Sequence, residues 1–91
     1  MAVRSKVSVI IPIFKVRDFI ERCAVSLFEQ TLKEVEYIFV DDASPDDSIE
    51  VLKSCIERYP ERQERTTILT HEHNQGLPAA RNTGLAAASG E

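Results

Sequence analysis

The sequence predicts an α/β protein, a three-layer α/β/α arrangement around a Rossmann-like parallel sheet, and three observations carry that prediction. Short β-branched apolar runs alternate with segments of helical periodicity. The runs are too continuously apolar for a sheet with one wet face. The order strand, helix, strand, helix, strand, helix matches right-handed crossovers on a parallel sheet.

The first strand is Val7 to Ile13, with Val7, Val9, Ile10, Ile11 and Ile13 apolar and Pro12 expected to end its ladder. From Asp18 to Gln30 the residues Phe19, Ile20, Cys23, Leu27 and Phe28 recur at helical spacing, and Asp18 and Glu21 sit near the positive end of the helix dipole. A second strand, Glu36 to Asp41, turns abruptly polar at Asp41-Asp42-Ala43-Ser44-Pro45. Ser44 is the expected N-cap of the second helix, with Pro45 at its first position and Asp47 completing a capping-box-like pattern. That helix is expected to run to about Tyr59, with Ile49, Leu52, Ile56 and Tyr59 inward, and Pro60 stops it. After a charged linker, Glu61 to Arg65, the run Thr66 to Thr70 is the third strand. Following the loop His71 to Gly76, Leu77 to Ala88 forms an alanine-rich third helix with Pro78 in its first turn and Gly90 as its stop.

Composition removes several functions. The 91 residues are 43% hydrophobic and 29% charged, which excludes disordered and collagen-like classes. The net charge is -4 and the basic residues are dispersed among carboxylates, so no face suits a nucleic-acid polymer. Cys23 and Cys55 fall at apolar helical positions and are expected as buried free thiols, in keeping with a reducing, cytoplasmic compartment. The apolar run behind Met1 to Lys6 breaks at Pro12, too early for a secretory signal or a membrane span.

In parallel sheets, ligands bind at the carboxyl ends of the strands. Here those ends are Pro12 to Lys15, Asp41 to Ser44 and His71 to Gly76. Pro12-Ile13-Phe14-Lys15 has neither the glycines of a dinucleotide fold nor the Gly-rich Lys-Ser/Thr sequence of a P-loop. Asp41 and Asp42 point to opposite faces, so they have different jobs. A carboxylate there can accept from the N3–H of uracil, a group cytosine lacks; alternatively, both only solvate the loop and cap the second helix. His71 and His73 could bind a metal from one face of a strand, but no third ligand is evident, and exposed loop histidines are expected. Arg81 and Asn82, early in the third helix, suit an anionic ligand, or Arg81 pairs with a surface carboxylate.

Together, Val7 to Phe14, Ser26-Leu27 with Gln30-Thr31, Glu36 to Ser44 with Asp46 and Asp47, Asn74-Gln75-Gly76 with Ala80 to Gly84, and Ala88 to Glu91 resemble the opening of family 2 glycosyltransferases. The resemblance implies the N-terminal half of a GT-A domain over residues 1–91, transferring sugar from a nucleotide-diphosphate donor, commonly a UDP-sugar, to an acceptor hydroxyl. It places Pro12 and Phe14 against the base, Asp42 in contact with it beside Asp41, and Gly76 to Asn82 along the nucleotide pocket with Arg81 a contact. The family commonly has Tyr-Asn where this sequence has Phe14-Lys15.

The same resemblance implies a divalent cation, Mn²⁺ or Mg²⁺, whose aspartate ligands, like the catalytic base, match no residue of this chain. It leads to an expectation of no transfer by these residues alone, of pairing of two copies along Val7 to Ile11, and of polysaccharide assembly at the inner membrane face. A nucleotide-binding module without chemistry is the nearest rival. A phosphoacceptor domain would need a wider acidic cluster than the first strand end offers.

Overall fold

The computed structural model describes residues 7–30 and 35–88. Strands β1 (Val7–Ile13), β2 (Val35–Asp41) and β3 (Thr66–Thr70) form a parallel sheet in the order β1-β2-β3. Helices α1 (Arg17–Phe28), α2 (Ser48–Glu57), the short α3 (Pro60–Gln63) and α4 (Leu77–Ala87) connect and follow the strands. The expected α/β alternation is therefore present, with α1 and α2 on one face of the sheet and α4 on the other. The stop at Gly90 and the match at Thr31 lie outside the described residues.

Side chains alternate across the sheet as the two-residue period of a strand requires. Ile13, Val35, Tyr37 and Phe39 pack against Ile20, Ala24, Phe28, Leu52 and Cys55 on the α1/α2 side. Ile38 and Val40 instead meet Ala80, with Ile10 and Leu69 at the margin. On this second side α4 lies so close that a Cβ on Gly84 would fall 2.4 Å from Ile10 Cγ2. Only a glycine allows that approach.

Four elements differ from expectation. Pro12 does not end β1 but pairs with Val40 within it. Ile13 O accepts from Asp42 N, so Ile13 presents its polar groups to β2 and Pro12 faces the other way. Among the described residues β1 has a neighbour on one side only, so the missing N–H of Pro12 breaks no ladder bond. Phe19, placed on the apolar stripe by spacing, is 66% exposed; the buried stripe is Ile20, Ala24 and Phe28.

Helix α2 starts at Ser48 and not at Pro45; Asp47 stands at its N-cap without a side-chain cap bond, and Asp46 just before it accepts through Oδ1 from Ser48 N at 3.2 Å and from the hydroxyls of Ser44 and Ser48. The supposed linker after Pro60 contains α3, which buries Arg62. Its Nε donates to Phe28 O at 3.0 Å, a second guanidinium nitrogen donates to Gln30 O, and the group stacks on Tyr37 with 5.8 Å to the ring centroid. A buried cation thus satisfies carbonyls at the end of α1, where the helix has no further N–H to offer.

Both cysteines are free; Cys55 is buried, whereas Cys23 is only half-buried, in a shallow groove of about 200 Å³ lined by Ile11, Pro12, Val16, Phe19 and Ile20. Burial still pushes the Cys23 thiol up. No helix among the described residues is long and apolar enough to cross a membrane.

Candidate nucleotide site at the strand ends

The carboxyl ends of β1, β2 and β3 are tied together by side chains of their own loops. Lys15, two residues past the end of β1, has φ 55°, and Ala43, after the aspartate pair, has φ 57°, both in the left-handed region that non-glycine residues seldom enter. Lys15 N donates to Ser44 Oγ at 2.9 Å and Arg17 N to Asp46 Oδ2 at 3.3 Å, so the two loops brace each other. Arg17 adds an ion pair to Asp47 at 2.6 Å. The Lys15 ammonium lies over the Phe14 ring, 5.2 Å from its centroid. The hydroxyls of Ser44 and then Ser48 hold Asp46 down at about 2.

Adjacent carboxylates have opposite fates here. Asp42 is 1% exposed and lies under the β3–α4 loop. Its Oδ1 accepts from His71 Nδ1 at 2.9 Å and Gln75 N at 2.8 Å; its Oδ2 accepts from Asn74 Nδ2 at 3.1 Å and Gly76 N at 2.9 Å. Four donors on two oxygens leave no room for a ligand, and the hydrogen bond from His71, then that from the Gln75 amide, draws its carboxyl below the usual range. Asp42, expected against the base, is therefore an internal tie.

Asp41 sits on the other side of the strand, half-buried; its Oδ1 accepts from Ser44 N at 2.9 Å in an Asx-type turn, and its Oδ2 has no partner among the described residues. The two aspartates do have different jobs, as their alternation implied.

His71 corrects a second expectation. Its side chain is only 8% exposed, and besides Asp42 it bonds Thr83 Oγ1 through Nε2 at 2.8 Å. Since a carboxylate only accepts, Nδ1 carries a hydrogen. His73 is exposed, as expected.

Gly76 takes φ 94° as the residue before α4, a conformation that a side chain would strain, while its N–H reaches Asp42. Arg81 and Asn82 are exposed on the second turn of α4, and Arg81 makes no ion pair among the described residues, contrary to the surface-pair alternative. Pro12 and Phe14 are half-buried at the end of β1. A separate groove of about 400 Å³, lined by Lys53, Ile56, Glu57, Gln63, Thr66 and Ile68, includes the amino end of β3 and none of these residues.

Residues 8–91 match the family described as Glycosyl transferase family 2. The chain belongs to that family. Among its relatives, the uncharacterized glycosyltransferase EpsJ of Bacillus subtilis (strain 168) is 45% identical over 92% of this chain and 23% of its own length. Glycosyltransferase GlyA of Streptococcus pneumoniae serotype 4 is 39% identical over 99% of this chain and 12% of its own.

The mannosyltransferase PcManGT from Pyrobaculum calidifontis, solved with GDP-Man and Mn²⁺, superposes with a TM-score of 0.88 at 29% identity, over 97% of this chain and 26% of that one. The fold is thus that of a GT-A glycosyltransferase, and the chain spans about a quarter or less of the length of these relatives. Among the described residues no three His, Cys, Asp or Glu side chains gather as a metal site. The described residues do not by themselves hold the divalent ion that the family implies.

Proposed function

We propose that this chain is the donor-nucleotide-binding part of a glycosyltransferase, with the base of a nucleotide-diphosphate sugar held between the ends of β1 and β2. One observation carries the proposal: of two neighbouring carboxylates at a strand end, Asp42 is fully engaged inside the protein, while Asp41, paired with Ile13 at the end of β1, keeps one oxygen without a partner among the described residues. That oxygen suits a base with a ring N–H, which uracil has at N3 and guanine at N1 and cytosine lacks. A UDP-sugar is the donor we propose. GDP is the second reading, favoured by the GDP-Man complex of the mannosyltransferase neighbour. Arg81, exposed on α4 and without an ion pair among the described residues, is the proposed cation for the diphosphate.

In the whole protein the sugar passes to an acceptor hydroxyl. Assembly of a surface polysaccharide at the inner membrane face is the setting we propose, in line with the poly(ribitol-phosphate) beta-glucosyltransferase of Bacillus spizizenii, 35% identical over 94% of this chain and 13% of its own length. For the chain by itself we propose association of two copies along Val7 to Ile11, since β1 has one neighbour among the described strands. A monomer in sizing with light scattering at high concentration contradicts that association.

The test is an amide-shift titration with UDP, GDP and CDP, with and without Mn²⁺. UDP is expected to shift Phe14, Asp41 and Arg81, and Asp41→Ala to weaken it about tenfold or more. Equal binding of CDP overturns the base contact, a preference for GDP overturns uridine, and no shift with any nucleotide overturns the site.

A further inference from the structure

We propose that His71 is a positioning residue for the nucleotide site, setting the rotation of α4, and so the direction of Arg81 and Asn82, through its bond to Thr83. This rests on the strand ends being the nucleotide site.

Helix α4 meets the sheet through Ala80 and Gly84, and the Gly84 backbone lies directly against Ile10. Such a surface permits close approach but has few side chains that interlock, so it resists sliding and rotation weakly. Nor does a side chain cap the start of α4. The polar ties must therefore fix its setting. Asp42 holds the chain before the helix, at Asn74, Gln75 and Gly76. Within the helix, Thr83 Oγ1 ties to the strand ends, 2.8 Å from His71 Nε2. Thr83 Oγ1 also lies 3.0 Å from Ala79 O, within the helix itself; with the Nδ1 hydrogen of His71 given to Asp42, the one hydroxyl hydrogen of Thr83 is shared between Nε2 and Ala79 O.

The bridge Asp42–His71–Thr83 thus runs from the end of β2 to the second turn of α4 through a ring that is 8% exposed. Its two bonds lock the ring plane, and the backbone N–H of His71 is held by Asp41 O at 2.8 Å. Arg81 and Asn82 immediately precede Thr83, and neighbouring helical residues are separated by about 100° of rotation. A helix rotated by a fraction of that angle aims Arg81 elsewhere. His71 itself needs no contact with the nucleotide.

The experiment titrates UDP and GDP into the wild-type chain, His71→Ala and Thr83→Val, following amide shifts well below each thermal midpoint. Thr83→Val keeps the side-chain shape, removes only the hydroxyl, and touches neither Asp42 nor Asp41. Both variants are expected to bind the better nucleotide about tenfold more weakly. They are also expected to lose its shifts at Arg81 and Asn82 while keeping those at Phe14 and Asp41, a pattern that a general loss of stability does not produce. If His71→Ala fails to fold, Thr83→Val decides alone. Wild-type affinity and unchanged Arg81 and Asn82 shifts in Thr83→Val overturn the proposal and leave the nucleotide site standing. Absence of any shift in the wild-type chain overturns the nucleotide site, and this role for His71 with it.

Discussion

The two faces of the sheet are built on different principles. On the α1/α2 face large rings interlock: Phe28 meets Tyr37 edge-on at 5.1 Å and 89°, Phe39 at 6.2 Å and 70°, and Tyr59 at 5.4 Å. On the α4 face the partners are Ala80 and Gly84, and specificity comes from hydrogen bonds gathered on Asp42 and His71. Volume stabilises the first face, whereas proximity and polar ties define the second. The loop that lines the candidate site belongs to the second, so stability and site geometry are separable.

The largest expected effect tests the first face. Phe28→Ala removes the ring at the centre of the aromatic group and is expected to cost about 3–5 kcal/mol. That is a large share of the stability of a chain this size, read as a fall in the urea midpoint. If the site is separable, the residual folded protein keeps the amide shifts of Gln75 and Gly76. Their collapse at low denaturant would show that the faces are not independent.

Gly84→Ala strikes the second face and is expected to cost about 1–3 kcal/mol by overpacking against Ile10. Ile10→Ala should relieve the clash, so the double mutant is expected to be more stable than the sum of its parts, and a double-mutant cycle reads that coupling. Additive losses would mean that α4 simply lifts away. Next, Gly76→Ala places a side chain at φ 94° and is expected to cost about 1–2 kcal/mol in thermal unfolding, while changing the Asn74–Gly76 amides more than Phe28→Ala does.

The smallest effect concerns acid. Asp46, held at about 2 from an ordinary 3.8, has a folded value below its unfolded one, so its contribution is present above about pH 4 and disappears as pH falls toward 2. Asp42 is lowered as well and adds to the same limb. Thermal midpoints from pH 7 to 2 should fall on that limb, and less steeply in Ser48→Ala, which removes one hydroxyl from Asp46. An identical slope would remove Asp46 from the acid response.

What was legible in the sequence was whatever local period and punctuation encode. The strands, the crossovers and the opposed aspartates follow from alternation, and the family from motifs in order. What was not legible depends on partners far along the chain. Asp42 accepts from residues 29 to 34 positions away, so no local pattern distinguishes a ligand carboxylate from a buried tie. Arg62 lay in a charged stretch, and its burial becomes intelligible only once the open carbonyls of Phe28 and Gln30 are beside it. Phe19 fits the helical period, yet it falls at the margin of the stripe that Ile20, Ala24 and Phe28 occupy. Ser44 is a good N-cap by type, but its hydroxyl and that of Ser48 both donate to Asp46, and α2 starts only at Ser48.

The tie at Asp42 also dictates an order of events during folding. Each of its donors closes a loop of about thirty residues, and such closures come late because chain entropy opposes them until intervening structure has formed. The aspartate emerges with β2, but its partners emerge only after α2, α3 and β3 have been made. Until then a carboxylate destined for burial waits in water, fully charged and well solvated. The site is consequently a checkpoint: it can take shape only in a chain whose first three strands have already found their register.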